Sequence, residues 1–143
     1  MSQPQQPEEE NEFKIITKAK DLVKHTFEMT TEKRFPKKYR FTIVNRLHDL
    51  TLDIFQLIQE ANELSVADPQ EYRERNYYQR KAMTKCKTVL FLLELSKERN
   101  LISAAQCAAW TKYVFDVKYM AATWTKQDKQ RAAAMRKGTP ARR

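Results

Sequence analysis

The side chains able to act as acids, bases, nucleophiles or metal ligands are few in this chain, and their spacing sets them apart. His25 and His48 fall in separate helical stretches without a flanking ligand pattern, and no Glu-x-x-His is present to suggest a di-iron bundle. Asp49 and Asp53 are one helical turn apart, but they project to the solvent side, where a charged outer face accounts for them. Asp116 borders a core face, and a satisfied buried or interfacial polar residue fits that position better than an acid catalyst. Cys86 and Cys107 are too few and too far apart for a zinc site. Folded back on each other through a turn near residue 101, they miss in register by roughly 10 Å, which argues against a disulfide. The single glycine, Gly138, excludes phosphate-cradling glycine-rich loops. No catalytic residue, metal or cofactor is expected.

Anion binding is the chemistry that these residues do suggest. The segment KRFPKKYRFTIVNRLHDLTLDIF (33–55) holds six basic residues, Lys33, Arg34, Lys37, Lys38, Arg40 and Arg46, and no acid before Asp49. Its second half lays apolar residues at helical spacing. Lysines in the first turn of a helix oppose its dipole, which favours negative charge there, so Lys37 and Lys38 are placed as if for an anion. The chain carries +9 overall, and setting aside the four glutamates of its first dozen residues (Glu8, Glu9, Glu10, Glu12) leaves +13 on the remainder. Such a balance fits a nucleic acid, an acidic protein surface or an anionic membrane, or else a well-solvated surface.

Helices must position those charges. Residues 1–11 read as a disordered acidic tail, 12–131 as four helical stretches and 132–143 as a flexible basic tail. The first stretch, about 12–31, carries Phe13, Ile16, Ala19, Val23 and Phe27 on one face. The second, about 36–65, turns Ile43, Leu47, Leu50, Ile54, Leu57, Ile58 and Ala61 to a core. Asp68 and Pro69 form a helix start, and the third stretch, about 70–99, puts Tyr78, Ala82, Cys86, Val89 and Leu93 inward before Asn100 closes it. Ser103 caps the fourth, which runs to about Arg131 with Gln106, Ala109, Tyr113, Val117, Met120 and Trp124 inward. Nothing reads as a strand. The fold class is all-α, an up-down-up-down antiparallel four-helix bundle.

In that topology two basic clusters form, one at each end. Lys33, Arg34, Lys37, Lys38 and Arg40 gather with Lys97 and Arg99; Arg73, Arg75, Arg80 and Lys81 gather with Lys126, Lys129 and Arg131. Tyr39, Tyr72, Tyr77 and Tyr78 lie among the charges and could stack on bases, although packing is the commoner use of such side chains. A second apolar stripe lies off the core face of three helices: Phe41, Leu52 and Phe55 with His48; Tyr77, Phe91 and Leu95; and Phe115 and Tyr119 with Ala104, Ala108 and Ala122. One bundle cannot bury both sides of three helices, so these residues are candidates for an interface with further copies or a partner. No apolar run approaches the roughly 20 residues of a membrane span, and the polar start MSQPQQPEEEN is no secretory signal. A cytoplasmic protein without a membrane partner is expected.

FPKKYRFTIVNRLHDLTLDIFQLIQEANEL (35–64) resembles the second-helix pattern of bacterial four-helix-bundle proteins: Phe-Pro-Lys, two variable residues, Arg/Lys-Phe-Thr, then Arg-Leu. That family includes the accessory variability determinant (Avd) proteins of diversity-generating retroelements and relatives encoded in ribosomal-RNA intervening sequences. RNYYQRKAMTKCKTVLFLLELSKERNLIS resembles its third helix and turn, and YMAATWTKQDKQR the end of its fourth; the resemblance covers about 12–131. Where the family pattern has small residues, often glycine, before that tryptophan, Ala121, Ala122 and Thr123 precede Trp124 here. The resemblance implies a non-catalytic, basic, ring-forming bacterial or phage-encoded protein, a homopentamer in the Avd branch. It implies partners too: the element's reverse transcriptase, its template RNA and DNA or cDNA, with support of adenine-mutagenic cDNA synthesis. A ribosomal-RNA-associated or general RNA- or protein-binding bundle without a polymerase is the alternative.

Overall fold

Buried residues recur at alternating spacings of four and three, which is the pattern that lets long helices share one seam. In the computed structural model, which describes residues 7–138, the elements are α1 (Pro7–Met29), α2 (Asn45–Asn62), α3 (Pro69–Glu98) and α4 (Ala104–Gly138). A 3₁₀ turn (Lys37–Tyr39) and a π-helical turn (Arg40–Val44) lead into α2. Among the described residues there is no strand. Each helix packs on two others: α1 on α2 and α4, and α3 on α2 and α4. The all-helical four-helix architecture matches the sequence pattern.

The caps follow from the residues that the sequence offers. Asp68 accepts from the Glu71 N–H at 2.9 Å with Pro69 as first helical residue, and Glu71 reaches back to the Ser65 N–H at 3.0 Å. Ser103 and Gln106 exchange hydrogen bonds at 3.0 and 2.8 Å, a capping box that starts α4. Asn100, at φ 62°, closes α3: its N–H donates to the Lys97 carbonyl and that of Leu101 to the Ser96 carbonyl. Helix ends differ from the pattern at both termini. α1 begins at Pro7 rather than near Glu12, since a leading proline and glutamates suit a helix start. α4 continues past Arg131 through the helix-favouring Ala132–Ala134 run to Gly138. Expectations for residues 1–6 and 139–143 lie outside the described residues.

The inward face of the second helical stretch is the one expected, with Ile43 of the π-helical turn and Leu47, Leu50, Ile54, Leu57, Ile58 and Ala61 of α2 all buried. On α3, Ala82, Cys86, Val89 and Leu93 are fully buried, while Tyr78 is only half-buried. α1 and α4 are rotated from expectation. The buried set of α1 is Ile15, Ala19, Leu22, Thr26 and Met29, whereas Phe13 and Phe27 are exposed. Thr26 is tolerated inside because its hydroxyl accepts the Trp110 indole N–H at 3.1 Å. α4 buries Trp110, Val114, Val117, Ala121, Trp124, Asp128 and Ala132; Ala109 is exposed and Gln106, Tyr113 and Met120 are half-buried. Two bulky tryptophans and a buried aspartate decide that face, and an apolar pattern alone does not register the aspartate.

Candidate nucleic-acid interface

After α1, the chain turns through Thr31, whose carbonyl accepts from the Arg34 and Phe35 N–H groups. Phe35 then inserts into the bundle end, edge-on to Trp110 with ring centroids 6.4 Å apart. That anchor leaves Lys33, Arg34, Lys37, Lys38 and Arg40 exposed around it. The helical run that follows begins without an acidic residue or a side-chain cap in its first turn, so nothing in it offsets the lysines. Lys38 lies over the Tyr39 ring at 5.2 Å and Arg40 meets Glu32 at 3.0 Å. Lys97 and Arg99, at the end of α3, are exposed as well.

Along the first half of α3, Arg73, Arg80 and Lys81 are exposed, as are Lys126 and Lys129 of α4; Lys81 lies over Tyr77 at 5.3 Å. Lys33, Arg34, Lys37, Lys38, Arg73, Arg80, Lys81, Lys126 and Lys129 form no ion pair among the described residues.

Arg75 corrects the expected set. It is 3% exposed and cannot reach a nucleic acid. Its Nε and Nη2 donate to Asp128 at 2.6 and 3.1 Å, Nη2 to Glu12 at 2.8 Å, and Nη1 to the Leu64 carbonyl at 2.8 Å. The guanidinium plane lies 4.8 Å from the Trp124 ring, and Gln79 donates to the same aspartate at 2.7 Å. Burial alone would lower the Arg75 pKa; the hydrogen bonds to Asp128 and Glu12 and their charges outweigh it and raise it. Arg131 is half-buried and turns 3.4 Å toward Asp128, so it too belongs partly to this cluster. The 4-3 register from Arg75 and Gln79 into Ala82 was the sequence signal that could have revealed it: two polar residues continue the buried seam.

The residues weighed for catalysis stay apart. His25 stacks on Tyr113 at 4.4 Å, and His48 lies flat on Phe27 at 4.0 Å while meeting Thr30 at 2.6 Å. Burial lowers the pKa of both rings. Asp53 pairs with Lys85, Asp116 with Lys18 and Lys112, and Asp49 is exposed. Cys86 is buried with its thiol pushed up to about 12, and both cysteines are free. Among the described residues no three of His, Cys, Asp and Glu converge as metal ligands, and no helix is long and apolar enough to cross a membrane.

The outer stripes face outward. Phe41 is 76% exposed, and Leu52, Tyr77, Phe91 and Tyr119 are exposed too. Phe55 and Leu95 are half-buried against the core, and Phe115 is half-buried and stacked on Tyr119 at 5.4 Å. No family model, curated protein or solved structure matches this chain.

Proposed function

We propose that this chain is a non-catalytic, nucleic-acid-binding accessory protein of a diversity-generating retroelement. In this reading it binds the element's reverse transcriptase and template RNA and supports mutagenic cDNA synthesis in the cytoplasm of a bacterial host. The observation that carries the reading is the set of nine exposed cations without ion pairs, in a chain whose buried arginine is by contrast fully clamped. Unpaired surface lysines and arginines attract phosphates at little desolvation cost, whereas Arg75 would have to leave two carboxylates first. The sequence resemblance over 12–131 supplies the polymerase partner.

The bundle is read as up-down-up-down and antiparallel. Arg75 near the start of α3 meets Glu12 of α1, Leu64 after α2 and Asp128 late in α4, and Thr26 late in α1 meets Trp110 early in α4, which supports that order. Assembly into a ring, a homopentamer by resemblance, is supported by two complementary faces. Leu52 and Phe55 border an open groove with Gln56, Gln59, Glu60 and Glu63 on the α2 side. On α4, Phe115 and Tyr119 stack beneath Lys118, 6.0 Å from the Phe115 ring. Different faces that match give a head-to-tail contact, which closes as a ring when the rotation allows. Reconstituted cDNA synthesis tests the function: the cognate reverse transcriptase on its template RNA should extend, and misincorporate at adenines, more in the presence of this chain. Unchanged yield and fidelity, with no complex of the two proteins, would overturn the reading.

A further inference from the structure

Where α1 gives way to the turns before α2, the chain folds around a cavity of about 200 Å³. Its floor is apolar or already satisfied. Phe35, 2% exposed, and Val44 contribute carbon, and Thr30 and His48 contribute a mutual hydrogen bond at 2.6 Å. The Thr30 hydroxyl also lies 2.8 Å from the Thr26 carbonyl, so both side chains at the floor have partners. The rim is polar and exposed: Lys37, Arg40 and Asn45, with Glu32. Glu32 holds Arg40 at 3.0 Å, but its side chain is 75% exposed, so the pair is solvent-screened and an incoming anion can replace it.

The volume and the lining suit one ligand chemistry. At about 30 Å³ per water, the cavity has room for roughly six waters, enough for a tetrahedral oxyanion at hydrogen-bond distance from its donors. Lys37 supplies a point charge, Arg40 a fork that matches two phosphate oxygens, and Asn45 an amide donor. Phe35, seated against Trp110, closes the inner side. A terminal phosphate monoester carries more negative charge than a backbone phosphodiester, which suits a rim with two cations. A monoester also has a second ionisation near pH 6. At neutral pH it is thus mostly a dianion, whereas a diester keeps a single charge.

We propose that this cavity binds a phosphate monoester, the 5′ end of a nucleic-acid strand or a free nucleotide, on Lys37, Arg40 and Asn45 with His48 at its base. The choice of ligand rests on the nucleic-acid reading above, and the site turns part of a diffuse basic surface into an end-recognising one. The test uses the full chain and two single-stranded hexanucleotides of one sequence, one with a 5′-phosphate and one with a 5′-hydroxyl, at about 0.15 M salt. Adenosine monophosphate forms a separate arm, and the His48 imidazole resonances are followed in each titration. The phosphorylated strand should bind about tenfold tighter and shift His48. Asn45→Ala, at an exposed position outside the cation clusters, should erase that preference while leaving the hydroxyl strand bound. Adenosine monophosphate that shifts His48 and competes supports a free nucleotide as a source; preference for the strand alone supports a nucleic-acid end. Equal affinity of the two strands with His48 unmoved overturns the pocket and leaves the nucleic-acid reading standing. If neither strand binds yet adenosine monophosphate shifts His48, the pocket stands and the wider reading fails.

Discussion

Removing the carboxylate of Asp128 should be among the most damaging single changes available to this fold. The side chain is fully buried and accepts from Arg75 twice, from Gln79 and from Arg131. Asp128→Ala would leave the Arg75 guanidinium, 3% exposed, with Glu12 and one carbonyl, and would orphan the Gln79 amide. Breaking a buried pair in this way costs about 3–5 kcal/mol, a large share of a total stability of about 5–15 kcal/mol. With a urea m-value of about 1–3 kcal/mol/M, the unfolding midpoint should fall by about 2 M. Replacing the group as a unit, Arg75→Met with Gln79→Leu and Asp128→Leu, removes the buried charge and its desolvation together and should recover most of that loss. Urea unfolding followed by far-ultraviolet circular dichroism measures both. A shift below about 0.3 M for Asp128→Ala would mean that the carboxylate does not hold the buried Arg75 in place. The triple variant carries a second consequence: if folded, it should bind nucleic acid like the parent, because Arg75 is a core group.

Other predictions follow from different parts of the molecule. Trp110→Ala, which empties a fully buried position and orphans the Thr26 hydroxyl, should cost about 3–5 kcal/mol by the same unfolding assay. Phe91→Glu and Tyr119→Glu alter exposed side chains, so helicity should persist while light scattering reports loss of an assembly well above 17.0 kDa; a parent that is monomeric at micromolar concentration would contradict the ring. His25 and His48 have folded-state pKa values held below the ordinary 6.5 by burial, so their contribution to stability is present above about pH 6.5 and is lost as pH falls from there through the folded values. Urea midpoints should therefore drop between pH 7.5 and 5, and His48→Gln should flatten that slope.

The second helix and the caps were readable because local chemistry and periodicity point the same way there. Ile43 to Ala61 is an uninterrupted apolar seam, and Asp68, Asn100 and Ser103 are residues whose short side chains or backbone freedom suit helix ends. The faces of α1 and α4 were less legible. The apolar residues of α4 run all round it and those of α1 spread over a broad arc, so a stripe chosen by hydrophobicity alone can be rotated by one position, as Ala109 and Tyr113 are from Trp110 and Val114. The buried seam also runs through Thr26, Gln79, Arg75 and Asp128, and only a partner elsewhere in the chain makes such residues acceptable inside. For the same reason charge counting placed Arg75 with the surface cations. Thr30 and Asn45, which line the cavity beside Lys37, are unremarkable in sequence and become neighbours only through the turn at 31–36.

Phosphate recognition by the exposed cations can be read from salt-dependent binding of a single-stranded RNA, measured by fluorescence anisotropy. Engagement of about six phosphates gives a slope of log affinity against log salt near −4, so affinity should fall by two to three orders of magnitude between about 50 and 200 mM salt. Lys37→Glu/Lys38→Glu/Arg40→Glu and Arg73→Glu/Arg80→Glu/Lys81→Glu reverse exposed cations from two different segments, and at least one set should weaken binding to all sequences alike and flatten the slope by about two. If both triple variants are folded and keep the parent's affinity and slope, phosphate recognition by these basic clusters is contradicted.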